Sequence, residues 1–265
     1  MYMRIIDLDD ERKEEFLICL EDWSEDAKES GDHKACWYEK MKDKNLGVKL
    51  AIDDNGVTGG MIQYVPIEYS PATGKDLFFI SCIWVHGHKK GRGSFQKKGM
   101  GTALLKAAEE DVKKRGAKGI AAWGIKLPFW MKASWYAKKG YEYVDEDGIA
   151  CLMFKKFSDE AEKPVWYKGG EKPQKGQNPG KVTVTAFNNG NCMVQNLALE
   201  RAKKACKEIG EKAVYQEIDT TITDNFKKWG VYHGVYIEDK IMQKGPPLKY
   251  KKIKKMILKQ VKRIK

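Results

Sequence analysis

The sequence predicts a mixed α/β protein built as two domains, and three observations predict it. The chain is 265 residues long, more than one domain usually holds, so two cores are expected. Its composition, 42% hydrophobic and 32% charged, is that of a soluble globular protein. Short apolar runs of strand type alternate with helical periodicity on both sides of one proline- and glycine-rich break, Ser158 to Lys181. No apolar run approaches the roughly 18 residues that cross a bilayer. The opening stretch "MYMRIIDLDDERKEE" has acidic residues where a signal peptide keeps its apolar core, so a cytoplasmic location is expected.

Taken in order, "YMRIIDL" reads as a short strand. The segment from Asp10 to Ser30 places Phe16, Leu17, Leu20, Trp23 and Ala27 at helical spacing, which predicts one helix there. A second helix is expected through "KACWYEKMKDK". Strands follow at "GVKLAID", "VTGGMIQYVPI" and "DLFFISCIWV", the first two joined by the turn residues "DDNG". The amphipathic run after Gly99 predicts a helix, "GIAAWGI" a strand, and "KASWYAKKG" a short helix closed by Gly140. "YEYVD" and "IACLMFKKF" then pair across "EDG". These elements form a first domain at 1–157, followed by a linker at 158–180. The remainder, 181–265, reads strand, helix, strand, short helix, two strands and a basic terminal helix.

Six cysteines (Cys19, Cys36, Cys82, Cys151, Cys192 and Cys206) show no C-x-x-C pair and no zinc-like spacing with the four histidines. Neither a disulfide framework nor a structural metal is expected. The net charge of +12 invites a nucleic-acid partner, but ten basic residues and no acid lie between Lys244 and Lys265, leaving +2 for everything before them. That closing helix sets Tyr250, Ile253, Ile257, Val261 and Ile264 on one face. Its ordinary reading is a docked helix with a solvated basic face. Binding to RNA, an acidic partner or a membrane surface is the alternative.

The most informative stretch is "SFQKKGMGTALLKAAEEDVKKRG", Ser94 to Gly116, directly after the apolar run Leu77 to Val85. Gly99 and Gly101 remove two Cβ atoms from a strand-to-helix turn, and a helix N-terminus offers unpaired N–H groups to an anion. Thr102 adds a hydroxyl, while Lys97 and Lys98 add positive charge. A Walker A loop would need Gly-Lys-Ser/Thr where Gly99-Met100 stands, and "GRGSFQ" lacks the last glycine of a dinucleotide fingerprint. The spacing alone leaves a phosphate cradle and a tight turn that binds nothing both open.

The run Gln96-Lys97-Lys98-Gly99-Met100-Gly101, opening a helix with Leu104 and Leu105, resembles the Q/R-x-x-G-x-G/A acyl-CoA signature of the GNAT superfamily of N-acetyltransferases. Farther on, "SWYAKKGYEYVD" is similar to that family's Y-E-K-x-G-F segment, with Tyr136 four residues ahead of Gly140. The resemblance spans about Met1 to Phe157 and implies acetyl-CoA as cosubstrate with a small-molecule or peptide amine as acceptor. It implies that Ile83 and Val85 present backbone groups to the pantetheine arm. It implies too that Gln96, Lys97, Lys98, Gly99, Met100, Gly101 and Thr102 hold the diphosphate, and that Tyr136 is the general acid to the leaving thiolate. Two departures stand out. The family's usual base position on the strand falls on Phe79 or Ser81, neither a base, which leaves His86, His88 or Glu68 acting through water, although both histidines also fit a solvated loop. Phe129 stands where the family has an asparagine. The aromatic crowd of Trp84, Trp123, Phe129, Trp130 and Trp135 suits either an aromatic or cationic amine or plain core packing.

The second domain's βαβαββα order, with Cys192 directly ahead of a helix, resembles a thioredoxin fold, and the whole arrangement resembles the YoaP-like group of bacterial acetyltransferases. Gln195 stands where a resolving cysteine would be, and His233 or Gly234 where a cis-proline is usual. The resemblance therefore implies a degenerate copy serving as scaffold, with Cys192 as a reactive monothiol, or a CoA-binding redox sensor without acetyl transfer, as the alternative.

Overall fold

The computed structural model describes residues 3–127, 131–242 and 247–264. In chain order its elements are β1 (Met3–Asp7), α1 (Lys13–Leu17), α2 (Glu25–Glu29), α3 (His33–Met41), β2 (Gly47–Asp53), β3 (Thr58–Pro66), β4 (Ala72–Thr73), β5 (Leu77–Val85), α4 (Met100–Lys114), β6 (Gly119–Ile125) and α5 (Ala133–Ala137). They continue with β7 (Glu142–Asp147), β8 (Ala150–Lys156), β9 (Val165–Trp166), β10 (Val182–Asn188), α6 (Met193–Ile209), β11 (Ala213–Asp219), α7 (Thr223–Trp229), β12 (Gly234–Ile237), β13 (Lys240–Ile241) and α8 (Tyr250–Val261). Two compact units result: Met1–Trp23 with Met41–Tyr167, and Ser24–Lys40 with Lys168–Lys265.

The first unit is a mixed α/β layer structure on a seven-stranded sheet ordered β1-β2-β3-β5-β6-β8-β7. Every pairing in it is antiparallel except β5 with β6. The unbroken apolar sequence of β5 is explained by burial: Leu77 to Ser81 are buried, and only Cys82 to Val85 are partly exposed. Helix α4 lays Met100, Leu104, Leu105, Ala108 and Val112 against Ile62, Tyr64, Phe78 and Ile80. That core fixes where the N-terminus of α4 sits. Within the proline- and glycine-rich stretch, β9 pairs with β4, and the Trp166 ring meets Phe79 edge-on at 6.2 Å.

The single helix expected from Asp10 to Ser30 is broken. Cys19 and Leu20 take left-handed φ values of 53° and 62°, which end α1, and the chain restarts as α2 after Ser24. The apolar positions then serve two cores: Phe16 and Leu20 are buried in the first unit, Ala27 in the second. Periodicity marks an apolar face but not which core receives it.

The second unit has a four-stranded sheet ordered β11-β10-β12-β13, with β10 and β11 parallel and β12 antiparallel to β10. Helices α2 and α3 belong to it. Arg201 on α6 donates to Glu29 Oε2 at 2.7 Å and Asp26 Oδ1 at 2.8 Å, and His33 meets Glu200 Oε1 at 2.7 Å. Trp37 is 2% exposed. Helix α8 buries Ile253 and Ile257 in the core that holds Val182 and Val184, as its apolar stripe predicts. Among the described residues, no helix is long and apolar enough to cross a membrane.

Candidate active site

A forked sheet creates the site. Strands β5 and β6 are paired from Leu77↔Gly119 to Ile80↔Ala122 and no further. At that point β5 carries a bulge: Ile80 opposes Tyr64 and Cys82 opposes Gln63, leaving Ser81 as the extra residue. The bulge turns the end of β5 away from Trp123–Ile125. The Ser81 carbonyl accepts instead from the Trp123 indole Nε1 at 2.9 Å, so its burial is compensated. Beyond the bulge, β5 stays in register with β3 through Gly60↔Val85, and the His86 N–H donates to Gly59 O at 2.9 Å. By the alternation of an antiparallel ladder, Ile83 and Val85 then direct their own N–H and C=O groups away from β3, into the fork.

The loop after β5 is tied at both ends. Phe95 N–H donates to His86 O at 2.8 Å, and the Gln96 amide reaches Val85 O at 3.4 Å. Lys97 has φ 61° and Gly99 φ 88°, so two left-handed residues flank Lys98 immediately before α4. Lys98 Nζ lies 5.5 Å from the Phe95 ring centroid. The first rung of α4 is Ala103 N–H to Gly99 O at 3.0 Å, so the N–H groups of Met100, Gly101 and Thr102 precede the helical ladder. Gly99 needs its glycine for backbone reasons. Gly101 does not: a Cβ there would meet Trp135 and Val85 at an ordinary 3.6 Å. The side chain of Met100 is buried in the core, whereas Gln96, Lys97, Lys98 and Thr102 are exposed.

Tyr136, on α5, is 1% exposed, and its hydroxyl makes no hydrogen bond among the described residues. Its ring packs against Trp135 at 5.0 Å and Tyr141 at 5.3 Å. Burial, together with the Cys82 thiol beside it on β5, pushes the phenol well above its ordinary range. It keeps its proton at any physiological pH.

The profile of the acetyltransferase (GNAT) family matches residues 6–141, just over half the chain. The chain belongs to this family. Among solved structures, it is similar to the PaiA N-acetyltransferase from Thermoplasma acidophilum in complex with coenzyme A, at 20% identity over 59% of this chain and 100% of that one, with a TM-score of 0.45. An aminoglycoside 6′-acetyltransferase type Ii is similar at 21% identity over 59% and 97%, TM-score 0.44. A GNAT family acetyltransferase from Brucella melitensis in complex with acetyl-CoA is similar at 13% identity over 63% and 97%, TM-score 0.40. No curated protein sequence matches.

Where a GNAT acetyltransferase commonly carries its base, this chain has Phe79, buried in the core, and Ser81, held in the bulge by Gln63 at 3.2 Å. The alternatives divide. Glu68 follows β3 past Pro66, which opposes Phe78 at the far end of β5. Seven residues of strand, roughly 23 Å, separate that end from Val85, so Glu68 is remote from the fork. His86 is fully buried, not solvated: Trp23 Nε1 donates to its Nε2 at 3.0 Å, and its Nδ1 donates to Gly93 O at 2.7 Å. Both ring nitrogens are committed. His88 is exposed, with its ring 5.3 Å from Trp23 and 6.4 Å from Trp84. Phe129 and Trp130 lie outside the described residues.

One acid near the fork was not singled out by sequence reasoning. Glu21 lies half-buried against Trp23 and Trp84, with His86 and His88 close by, and burial raises its carboxyl above the usual range although the histidines oppose this. Only the left-handed turn at Cys19 and Leu20 brings it there, and no turn-forming residue marks that turn. In the second unit, Cys192 is the half-buried N-cap residue of α6, its carbonyl accepting from Gln195 and Asn196 N–H at 3.0 Å each. His233, with ring nitrogens buried, lies near the Gln195 backbone and His33.

Proposed function

We propose that the chain transfers an acetyl group from acetyl-CoA to a primary amine by direct attack, with both substrates bound together. The carrying observation is the buried hydroxyl of Tyr136, which has no partner among the described residues and lies beside Cys82 at the forked end of β5. A buried polar atom without a partner costs about 1–3 kcal/mol, so a hydroxyl kept there calls for a ligand group. The fit extends to the helix end: Gly101 leaves room that the protein's own packing does not require, and Lys97 and Gly99 turn the preceding backbone with left-handed φ. When bound, acetyl-CoA supplies an activated thioester carbonyl and a thiolate leaving group.

The residues divide the work. Lys98, Gly99, Met100, Gly101 and Thr102 meet the diphosphate with backbone N–H groups and the positive end of α4, with Lys97 and Gln96 at the entrance. Ile83 and Val85 hold the pantetheine amides, and the Val85 N–H polarises the carbonyl that is attacked. Tyr136 carries a proton at Oη and gives it to the departing sulfur. Tyr136→Phe is expected to lower kcat about 10²–10⁴-fold with acetyl-CoA affinity nearly unchanged, as checked by CoA release and calorimetry. An equal loss in both would contradict the role. The second unit we read as a degenerate thioredoxin-like scaffold, a reading supported by its strand-helix order and by Gln195 in the resolving position. Alkylation of Cys192 much faster than that of a free model thiol would favour the monothiol alternative.

A further inference from the structure

Helix α8 uses up its apolar side inside the second unit. Ile253 and Ile257 are fully buried, and Tyr250, Met256, Val261 and Ile264 pack half-buried against the same core. The opposite side carries Lys251, Lys255, Lys259 and Lys262, all exposed. At about 100° per residue these four fall within roughly 80° of one another, and at about 1.5 Å per residue they form a straight ridge roughly 16 Å long. Exposed Lys252 flanks it. No acid occurs between Lys244 and Lys265. From α6, Glu208 reaches α8, but Lys254 takes it at 2.6 Å and the Tyr250 hydroxyl donates to it as well. The four ridge lysines have no ion-pair partner among the described residues.

This ridge works against its own helix. Lys251 with Lys255, and Lys255 with Lys259, are like-charge pairs one turn apart. Lys251 and Lys252 occupy the first turn, at the positive end of the helix dipole, where no acid offsets them. A face kept only for solubility mixes signs, as α4 does where Lys106 meets Glu110 at 3.8 Å. Four aligned cations that the fold does not neutralise fit a polyanion whose charges are fixed along a line.

We propose that this face of α8 docks on the phosphodiester backbone of a nucleic-acid duplex, without reading its sequence. A duplex presents a charge about every 1.7 Å along its axis, so the ridge meets several phosphates at once. A helix that binds a membrane inserts its apolar side, which here is spent on the core, and the exposed large apolar side chain that α8 has left is Leu258, 36% exposed. A single strand is held largely by bases stacked on aromatic rings. Tyr250, the aromatic residue of α8, is covered by Lys204, whose Nζ lies 5.0 Å from the ring centroid.

The test is fluorescence anisotropy of the full chain with labelled RNA and DNA duplexes of about 20 base pairs, from about 50 to 200 mM KCl. Four phosphate contacts predict a slope of log K against log[salt] of about −3.6, a weakening of roughly 150-fold across that range. Lys251→Gln, Lys255→Gln, Lys259→Gln and Lys262→Gln together are expected to flatten the slope toward zero, and each alone to reduce it by about 0.9. The same charge removed elsewhere, by glutamine at the exposed Lys106, Lys114, Lys172 and Lys175, leaves the slope in place. Binding of either duplex with these properties supports the proposal, and the tighter one names the source. No binding at low salt overturns it, as does a slope unchanged in the α8 variants or lost equally in the control. Tighter binding to vesicles of phosphatidylcholine with about a third phosphatidylserine, to polyglutamate or to a single strand of the same length also overturns it.

Discussion

Two helices in this molecule begin the same way and end up with different neighbours. Helix α4 follows β5 through a glycine-bearing loop, and α6 follows β10 through another. At α6 the protein closes its own loop: a Cβ on Gly190 would lie 2.7 Å from His33 O and 3.0 Å from Trp37 Cβ, and Asn196 donates to Gly190 O at 2.9 Å. At α4 a Cβ on Gly101 would meet only ordinary contacts at 3.6 Å. Gly190 is thus demanded by the fold, while Gly101 is left free for something else. A glycine at a helix start therefore points to a ligand only when the protein's own atoms do not explain it.

That contrast is broken or sharpened first at the glycines themselves. Gly190→Ala combines a left-handed φ of 88° with a backbone clash, and is expected to destabilise the second unit by on the order of 3 kcal/mol in thermal melts. Gly101→Ala is expected to leave melting unchanged or raise it slightly, because alanine is the better helix former by about 1 kcal/mol. A comparable loss of stability at Gly101 would erase the distinction.

An effect of similar size separates the two units by pH. Burial holds His233 down to about 3, against roughly 6.5 for an imidazole in the unfolded chain. Between those values the unfolded chain binds a proton that the folded unit does not. Stability is complete above the unfolded value and falls as pH drops, by up to about 1.4 kcal/mol per pH unit. His233→Gln should flatten that part of the acid dependence in melts from pH 7 to 4, and an unchanged slope would refute it. The smallest effect is at the fork: Trp123→Phe removes the indole bond to Ser81 O, and a loss of about 1 kcal/mol is expected in urea denaturation.

The parts legible in the sequence were those whose signal is local. Gln96 to Thr102 lie within one turn, and Tyr136 stands four residues from Gly140, so their spacing survives without knowledge of the fold. The parts that were not legible depend on distant partners. His86 looks like a loop residue until Trp23, sixty-three positions earlier, closes on it. Glu68 looks near the strand until the register of β3 with β5 puts it at the wrong end. The helical spacing of residues 10–30 marks Phe16, Leu20 and Ala27, which are buried, and Trp23, which is exposed; Cys19 and Leu20 turn left-handed without glycine or asparagine, and nothing local divides the buried positions between two cores. Glu21 went unmarked for the same reason.

The most direct test of the bare α4 terminus compares acetyl-CoA with S-acetylpantetheine, which lacks the diphosphate, by titration calorimetry on the wild type and on Gly101→Asp. Acetyl-CoA is expected to bind the wild type at least about 100-fold more tightly, near 2.7 kcal/mol, with most of that advantage lost in the variant at unchanged melting temperature. Equal affinities for the two compounds, or an advantage untouched by Gly101→Asp, would contradict the account.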